Sequence, residues 1–189
     1  QAAELGYKIK LLGVAQMTGR GLEQRMSPCL VPEDSPLGQL KGGTNMVVIE
    51  GDAVEQIVLR GPGAGEGPTA SAVMGDVCDI ARGFRLATFG APAQGLQKAK
   101  VAQSNSPAPY YLHLTLEDKP GALAKIATVL GDNGVSIDRM RQTRHNNTNA
   151  PVLIVTHKTT RAALDLAVTA MKDTGVMVND PVALRIETV

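Results

Sequence analysis

Gly61-Pro62-Gly63-Ala64-Gly65-Glu66-Gly67-Pro68-Thr69-Ala70-Ser71-Ala72-Val73 follows directly on an apolar, strand-like run, Ile57-Val58-Leu59-Arg60. Four glycines alternate with other residues, and a helix-like pattern begins at once. Glycine tolerates positive φ and lets a ligand approach the backbone. A helix N-terminus behind such a loop presents free N–H groups and the positive end of a dipole. Strand, glycine loop and helix together suit a phosphate, a carboxylate or the edge of a cofactor ring. A simple turn is the structural alternative.

Working outward, residues 68–82 are expected as the helix. Pro68 fits its first turn, and Val73, Val77, Ile80 and Ala81 form an apolar stripe. Asp76 and Asp79 fall off that stripe and are expected in solvent. Gly83 is the expected stop. Upstream, residues 45–50 and 54–60 read as a β-hairpin around Gly51-Asp52. Further upstream, residues 7–15 and 22–31 read as strands joined by a turn at 17–21. Tyr7, Ile9 and Leu11 alternate with Lys8, Lys10 and Leu12, which places the lysines on an expected solvated face. Residues 31–37 contain Pro32 and Pro36 and read as an irregular loop. Glu33 and Asp34 within it are a conceivable acid–base pair, but neighbouring acids in such a loop are usually solvated or capping.

The series Arg25, Pro28, Leu30-Val31-Pro32, Pro36-Leu37, Asn45-Met46-Val47 and Gly51-Asp52-Ala53-Val54 continues into Gly61-Pro62-Gly63-Ala64-Gly65, Pro68-Thr69-Ala70-Ser71-Ala72-Val73, Asp76-Val77 and Ala81-Arg82. In order, spacing and residue type it resembles the last third of the catalytic region of the homoserine dehydrogenase family. The resemblance implies that the glycine loop and its helix return the chain toward a nucleotide-binding domain. It implies a loop backbone beside the nicotinamide of NAD or NADP, with Gly65 nearest and Gly63, Ala64 and Thr69 next to it. The family's dinucleotide-binding unit, catalytic lysine and substrate-holding acids lie upstream of Gln1 in that order. No catalytic residue is therefore assigned, and Lys8 and Lys10 are not promoted to the role. The chain opens on the pattern of a helix tail with no starting Met, and is expected to begin inside something larger and to be inactive alone.

Residues 89–109 are small, polar and proline-rich and read as a linker. From Tyr110 the pattern is β-α-β-β-α-β. Leu112, Leu114 and Leu116 alternate with polar residues. Leu123, Ile126, Ala127 and Leu130 form a helix stripe behind Pro120, with Asp118 as a possible cap. Residues 135–144 and 152–157 read as strands around a polar turn at 145–149. Leu164, Ala167, Val168 and Met171 mark a second helix, and Val182, Leu184 and Ile186 a last strand. This is the ferredoxin-like split βαβ layout.

Leu116-Glu117-Asp118-Lys119-Pro120-Gly121-Ala122-Leu123 and Asp132-Asn133-Gly134-Val135-Ser136-Ile137 resemble the ACT regulatory domain. The resemblance implies amino-acid binding where backbone N–H groups near Gly121 meet a carboxylate. Asp118, Gly121, Ala122 and Leu123 would contribute from one chain, and Asn133, Val135 and Ile137 from a second.

The fold class expected is α+β: a partial catalytic-domain β-sheet with a return helix, then a ferredoxin-like βαββαβ ACT domain. The divisions are residues 1–88, 89–109 and 110–189. The activity implied is interconversion of aspartate semialdehyde and homoserine with NADP or NAD, in threonine and methionine biosynthesis. Threonine is the implied feedback effector, and a homodimer or homotetramer the implied assembly. A non-catalytic amino-acid sensor and another ACT-bearing enzyme of amino-acid metabolism are the alternatives.

Bulk properties narrow the partners. With 43% hydrophobic and 20% charged residues, the 189-residue chain is of ordinary globular composition. A net charge of +1 and 3% aromatic content argue against a nucleic-acid partner. No apolar run reaches the roughly 18 residues of a membrane span. Cys29 and Cys78 form no metal-type spacing, and free thiols fit a reducing cytoplasm. Cys78 is expected as a small core residue. His113, His145 and His157 show no catalytic partners in the sequence.

Overall fold

The computed structural model describes residues 1–142 and 149–188. Two compact units divide the chain, one made of Gln1–Gly38 with Val101–Val189 and the other of Gln39–Lys100. This division differs from one drawn along the sequence, because the first two strands join the sheet of the last 80 residues.

The larger unit is built on a seven-stranded sheet. Strands β1 (Tyr7–Thr18) and β2 (Gly21–Pro32) form a long hairpin in register from Tyr7↔Pro32 to Thr18↔Gly21. The expected turn at 17–21 is thus tighter, since Met17 and Thr18 still pair across the hairpin. β5 (Val101–Ala102) pairs with β2 at Leu22 and Glu23. It lies in the stretch read as linker. β2 also runs parallel to β9 (Val182–Ile186), with Cys29 opposite Arg185 and Leu30 opposite Ile186. From there the order is β9, β6 (Tyr110–Glu117), β8 (Asn149–Thr156) and β7 (Ile137–Gln142), all antiparallel. That is the expected split βαβ order. Thr143, Arg144, His145 and Thr148, within the expected strand end and polar turn, lie outside the described residues.

One sheet face is covered by α3 (Ala122–Asp132) and α4 (Arg161–Lys172). Tyr110, Leu112, Leu114 and Leu116 project there because side chains alternate along a strand. They pack with Ile126 and Leu130 of α3 and Leu164, Ala167 and Met171 of α4, all fully enclosed. The α3 stripe is shifted from expectation. Ala122, Ile126 and Leu130 are buried at i, i+4 spacing, whereas Ala127 is exposed. Asp118 is not the cap: Gly121 occupies the N-cap with φ +84° and no side chain caps the helix. Thr160 does cap α4, its hydroxyl accepting from the Ala163 N–H at 3.2 Å.

The opposite face carries Leu30, Tyr111, Leu153, Val155 and Ile186, with Ala2, Leu5, Tyr7 and Leu184 packed against them. Along β1 the lysines do not take the solvated side. Ile9 and Leu11 are 57% and 69% exposed, whereas Lys8 and Lys10 are half-buried. The reason is a local contact: Lys8 Nζ donates to Gly38 O at 3.1 Å and lies 3.2 Å from Glu33 Oε1. The loop after β2 contains one helical turn, α1 (Pro36–Gln39), with the Gly38 N–H donating to Ser35 Oγ. A Cβ on Gly38 would lie 2.0 Å from Pro32 O, so only glycine fits.

The smaller unit contains the hairpin β3 (Thr44–Gly51) and β4 (Glu55–Pro62), then α2 (Glu66–Ala81). The hairpin register runs from Thr44↔Pro62 to Gly51↔Glu55, and Gly83 takes φ +80° past the helix end. α2 buries none of its residues among those described. Val73, Val77 and Ile80 are 56%, 49% and 65% exposed. Cys78 is exposed with them, so it is not the core residue its helical position suggested.

Candidate functional site

The glycine loop sits between β4 and α2. Gly65 is the N-cap of α2 with φ +123° and ψ 155°, a conformation closed to residues with a side chain. Its carbonyl accepts the Thr69 N–H at 3.1 Å, which draws Gly65 and Thr69 into one turn with Ala64 beside them. Gly63 is held differently. A Cβ there would lie 1.4 Å from Asn45 Nδ2 of β3, so the loop backbone runs against that side chain. The four expected cofactor-side residues, Gly63, Ala64, Gly65 and Thr69, are therefore adjacent and all exposed. Glu66 opens the helix and places a carboxylate in its first turn. That charge opposes a phosphate at the helix end, but not a neutral amide or ring edge.

The expected amino-acid site divides between the two ends of α3. Gly121, Ala122 and Leu123 form its start. The first N–H groups of a helix have no partner within the helix. Here the Ala122 N–H is taken by Lys119 O at 3.2 Å, and Lys119 pairs with Glu117. Asp118 stands exposed on the same turn. At the far end, Asn133 Nδ2 donates to Val129 O at 2.8 Å, Gly134 takes φ +69°, and the Val135 N–H returns to Leu130 O at 2.9 Å. Val135 is buried and Ile137 opens β7. Gly121 and Asn133 flank the eleven residues of α3, about 16 Å of helix at 1.5 Å per residue. One chain does not bring them together.

The other titratable candidates stay apart. Glu33 is engaged by Lys8. His113 lies half-buried on β6 with its Nε2 enclosed and unpartnered among the described residues. His157 Nε2 stands 3.9 Å from Asp138 Oδ1 on the surface. His145 lies outside the described residues. No cluster of three or more His, Cys, Asp or Glu side chains that could hold a metal occurs among those described. No helix among the described residues is long and apolar enough to cross a membrane.

The homoserine dehydrogenase family model matches residues 1–78, which contain the loop and most of α2, and the ACT domain model matches residues 110–176. Homoserine dehydrogenase of Neisseria gonorrhoeae is 40% identical over 179 residues, 90% of this chain and 41% of that protein. Residues 1–78 belong to the homoserine dehydrogenase family. The Pseudomonas aeruginosa homoserine dehydrogenase is 32% identical over 98% of this chain and 45% of its own length. The crystal structure of a homoserine dehydrogenase from Thiobacillus denitrificans matches 99% of this chain and 44% of that one, with TM-score 0.86 and 32% identity. This chain spans less than half the length of the homoserine dehydrogenases it matches.

Sequence reasoning missed one group of charged side chains. Arg25 of β2, Arg185 of β9 and Glu187 beyond it form a half-enclosed cluster, with Arg25 Nη2 and Arg185 Nε donating to Glu187 Oε1 at 2.8 and 2.7 Å. Only the pairing of β2 with β9 joins these residues, and no local pattern announces it.

Proposed function

We propose that this chain serves the homoserine dehydrogenase reaction as the cofactor-facing loop and the regulatory domain. In that reaction a hydride passes between a nicotinamide carbon and the aldehyde carbon of aspartate semialdehyde, and a proton reaches the oxygen to give homoserine. Gly65 carries the reading. Its φ of +123° holds the loop open without a side chain, at the position the family resemblance puts beside the nicotinamide. The Glu66 carboxylate supports a neutral amide there rather than a pyrophosphate. Either NAD or NADP suits the loop, since the 2′-phosphate lies at the other end of the cofactor. The groups that hold substrate and move its proton are assigned to no residue of these 189.

The ACT unit is proposed as a threonine sensor acting in the threonine and methionine pathway of the cytoplasm. The two half-sites at opposite ends of α3 support a pocket completed by a second chain, in a homodimer or homotetramer. An effector that prefers one assembly state shifts the equilibrium toward it.

Two measurements test these readings. The 189-residue chain mixed with homoserine and either nicotinamide cofactor should give no reduced cofactor; turnover would overturn the division of labour. Calorimetric titration with L-threonine, with isoleucine and lysine as controls, should give saturable heat for threonine alone. No heat from a folded, dimeric sample would make the ACT unit an assembly device.

A further inference from the structure

We propose that the cleft between β2, β9 and the start of α4 is a binding site for a small oxyanion, a carboxylate or phosphate group, separate from the amino-acid site at the ends of α3. The cleft measures about 370 Å³ and lies within the larger unit. Arg25, Arg161 and Arg185 line it, with Ser27, Ser104 and Tyr110 adding hydroxyl groups, and among the described residues no carboxylate lines it.

The arginines are only partly used by the protein. Arg25 gives Nε and Nη2 to Glu187 Oε1 at 3.1 and 2.8 Å, while its Nη1 is enclosed and has no partner among the described residues. Arg185 gives Nε to the same oxygen and Nη1 to Ser106 O at 2.9 Å and Tyr110 Oη at 3.4 Å. Its Nη2 has no protein partner among those described. Among the described residues Arg161 uses Nε alone, on Asp165 at 2.9 and 3.0 Å. Three guanidiniums thus face two carboxylates, leaving a positive charge uncompensated. Glu23, the nearby acid on β2, is occupied by Arg20 and by the Ser106 N–H.

Guanidinium groups hold carboxylate and phosphate by paired, charge-assisted hydrogen bonds. Anchoring by Glu187 and Ser106 preorganises two of them. An amino-acid zwitterion fits less well, because its ammonium finds no carboxylate on the lining. That separates this cleft from the effector site.

The test titrates the full chain, at constant ionic strength, with inorganic phosphate, with succinate and with L-threonine. Arginine side-chain N–H signals report binding. Phosphate or succinate should shift the signals of Arg25, Arg161 and Arg185 saturably, with a dissociation constant on the order of 1 mM for so small an ion. Whichever binds names the source of the oxyanion. R161Q alters an exposed side chain and leaves the Glu187 cluster intact. It should weaken the anion about tenfold, the worth of one charge-assisted hydrogen bond, while leaving any threonine heat unchanged. No saturable shift from either anion, equal binding in R161Q, or the same shifts with chloride would each overturn the proposal.

Discussion

Arg139 of β7 lies over the ring of Tyr7 at the start of β1, its guanidinium carbon 5.3 Å from the ring centroid and its Nη2 donating to the Tyr7 hydroxyl at 2.6 Å. A second tie runs parallel to it, Arg141 Nη1 to Glu4 Oε2 at 3.3 Å. The opening segment therefore closes over the face of the sheet bearing Tyr111, Leu153 and Val155. These ties are half-exposed, so each is worth little. Cation–π and surface ion-pair contacts contribute about 0.5–1 kcal/mol. Tyr7→Leu should lower unfolding free energy in urea by about 1 kcal/mol, and R139M should add little in that background. Full additivity of the two changes would show that the stacked pair is not coupled.

The two thiols differ in environment. Burial raises the Cys29 thiol above its ordinary value, against an opposing hydrogen bond with Ser27. Cys29 is 1% exposed and Cys78 is exposed. The thiolate is the reacting form. One thiol equivalent should therefore react promptly with a disulfide reagent in the folded chain, and the second only in denaturant. Cys78→Ser should abolish the fast phase. Two fast equivalents would contradict the buried position of Cys29.

The ferredoxin-like half was legible because its cores obey short periods. Leu112, Leu114 and Leu116 repeat every second residue, and Leu164, Ala167 and Met171 at helical spacing, so sequence alone placed them inside. The glycine loop was legible from its place between a hairpin and a helix. The stripe Val73, Val77 and Ile80 was read from the same rule, yet it is exposed among the described residues. Periodicity identifies the face meant for burial and says nothing of what covers it. The union of β2 with β9 was invisible, because Leu30↔Ile186 joins residues far apart in the chain through backbone bonds that any side chain permits. The Arg25–Glu187–Arg185 cluster depends on that union and was hidden for the same reason.

Glu23 should give the chain a pH-dependent stability. Its side chain is 0% exposed, held by Arg20 and by the Ser106 N–H at 3.3 Å. Burial works to raise the carboxyl, but the bonds from Arg20 and Ser106 and the Arg20 charge outweigh it, leaving it below the ordinary 4.5. A carboxylate depressed in the folded state stabilises the fold above its unfolded value. That stability is lost as pH falls from about 4.5 through the lower folded value. E23Q should flatten this acid limb of the urea midpoint against pH. An unchanged limb would assign the acid sensitivity to other groups.

Gly121 separates backbone conformation from packing in the proposed effector site. It holds φ +84° at the N-cap of α3, and a Cβ there would meet nothing within 4 Å. Gly121→Ala therefore meets no clash, but it forces an alanine into the left-handed region, at about 1–2 kcal/mol. The first turn relieves that strain by shifting, and the N–H groups of Leu123 and Ala124 shift with it. Gly131, near the other end of the same helix, also has open space around it but no positive φ. Gly131→Ala should therefore stabilise by about 0.4–1 kcal/mol, because alanine restricts the unfolded chain and suits the helix. The pair predicts opposite results in one assay. Gly121→Ala should melt earlier and lose most of its threonine heat, whereas Gly131→Ala should melt later and titrate like the parent chain. Equal threonine heat from both variants would remove the start of α3 from the effector site.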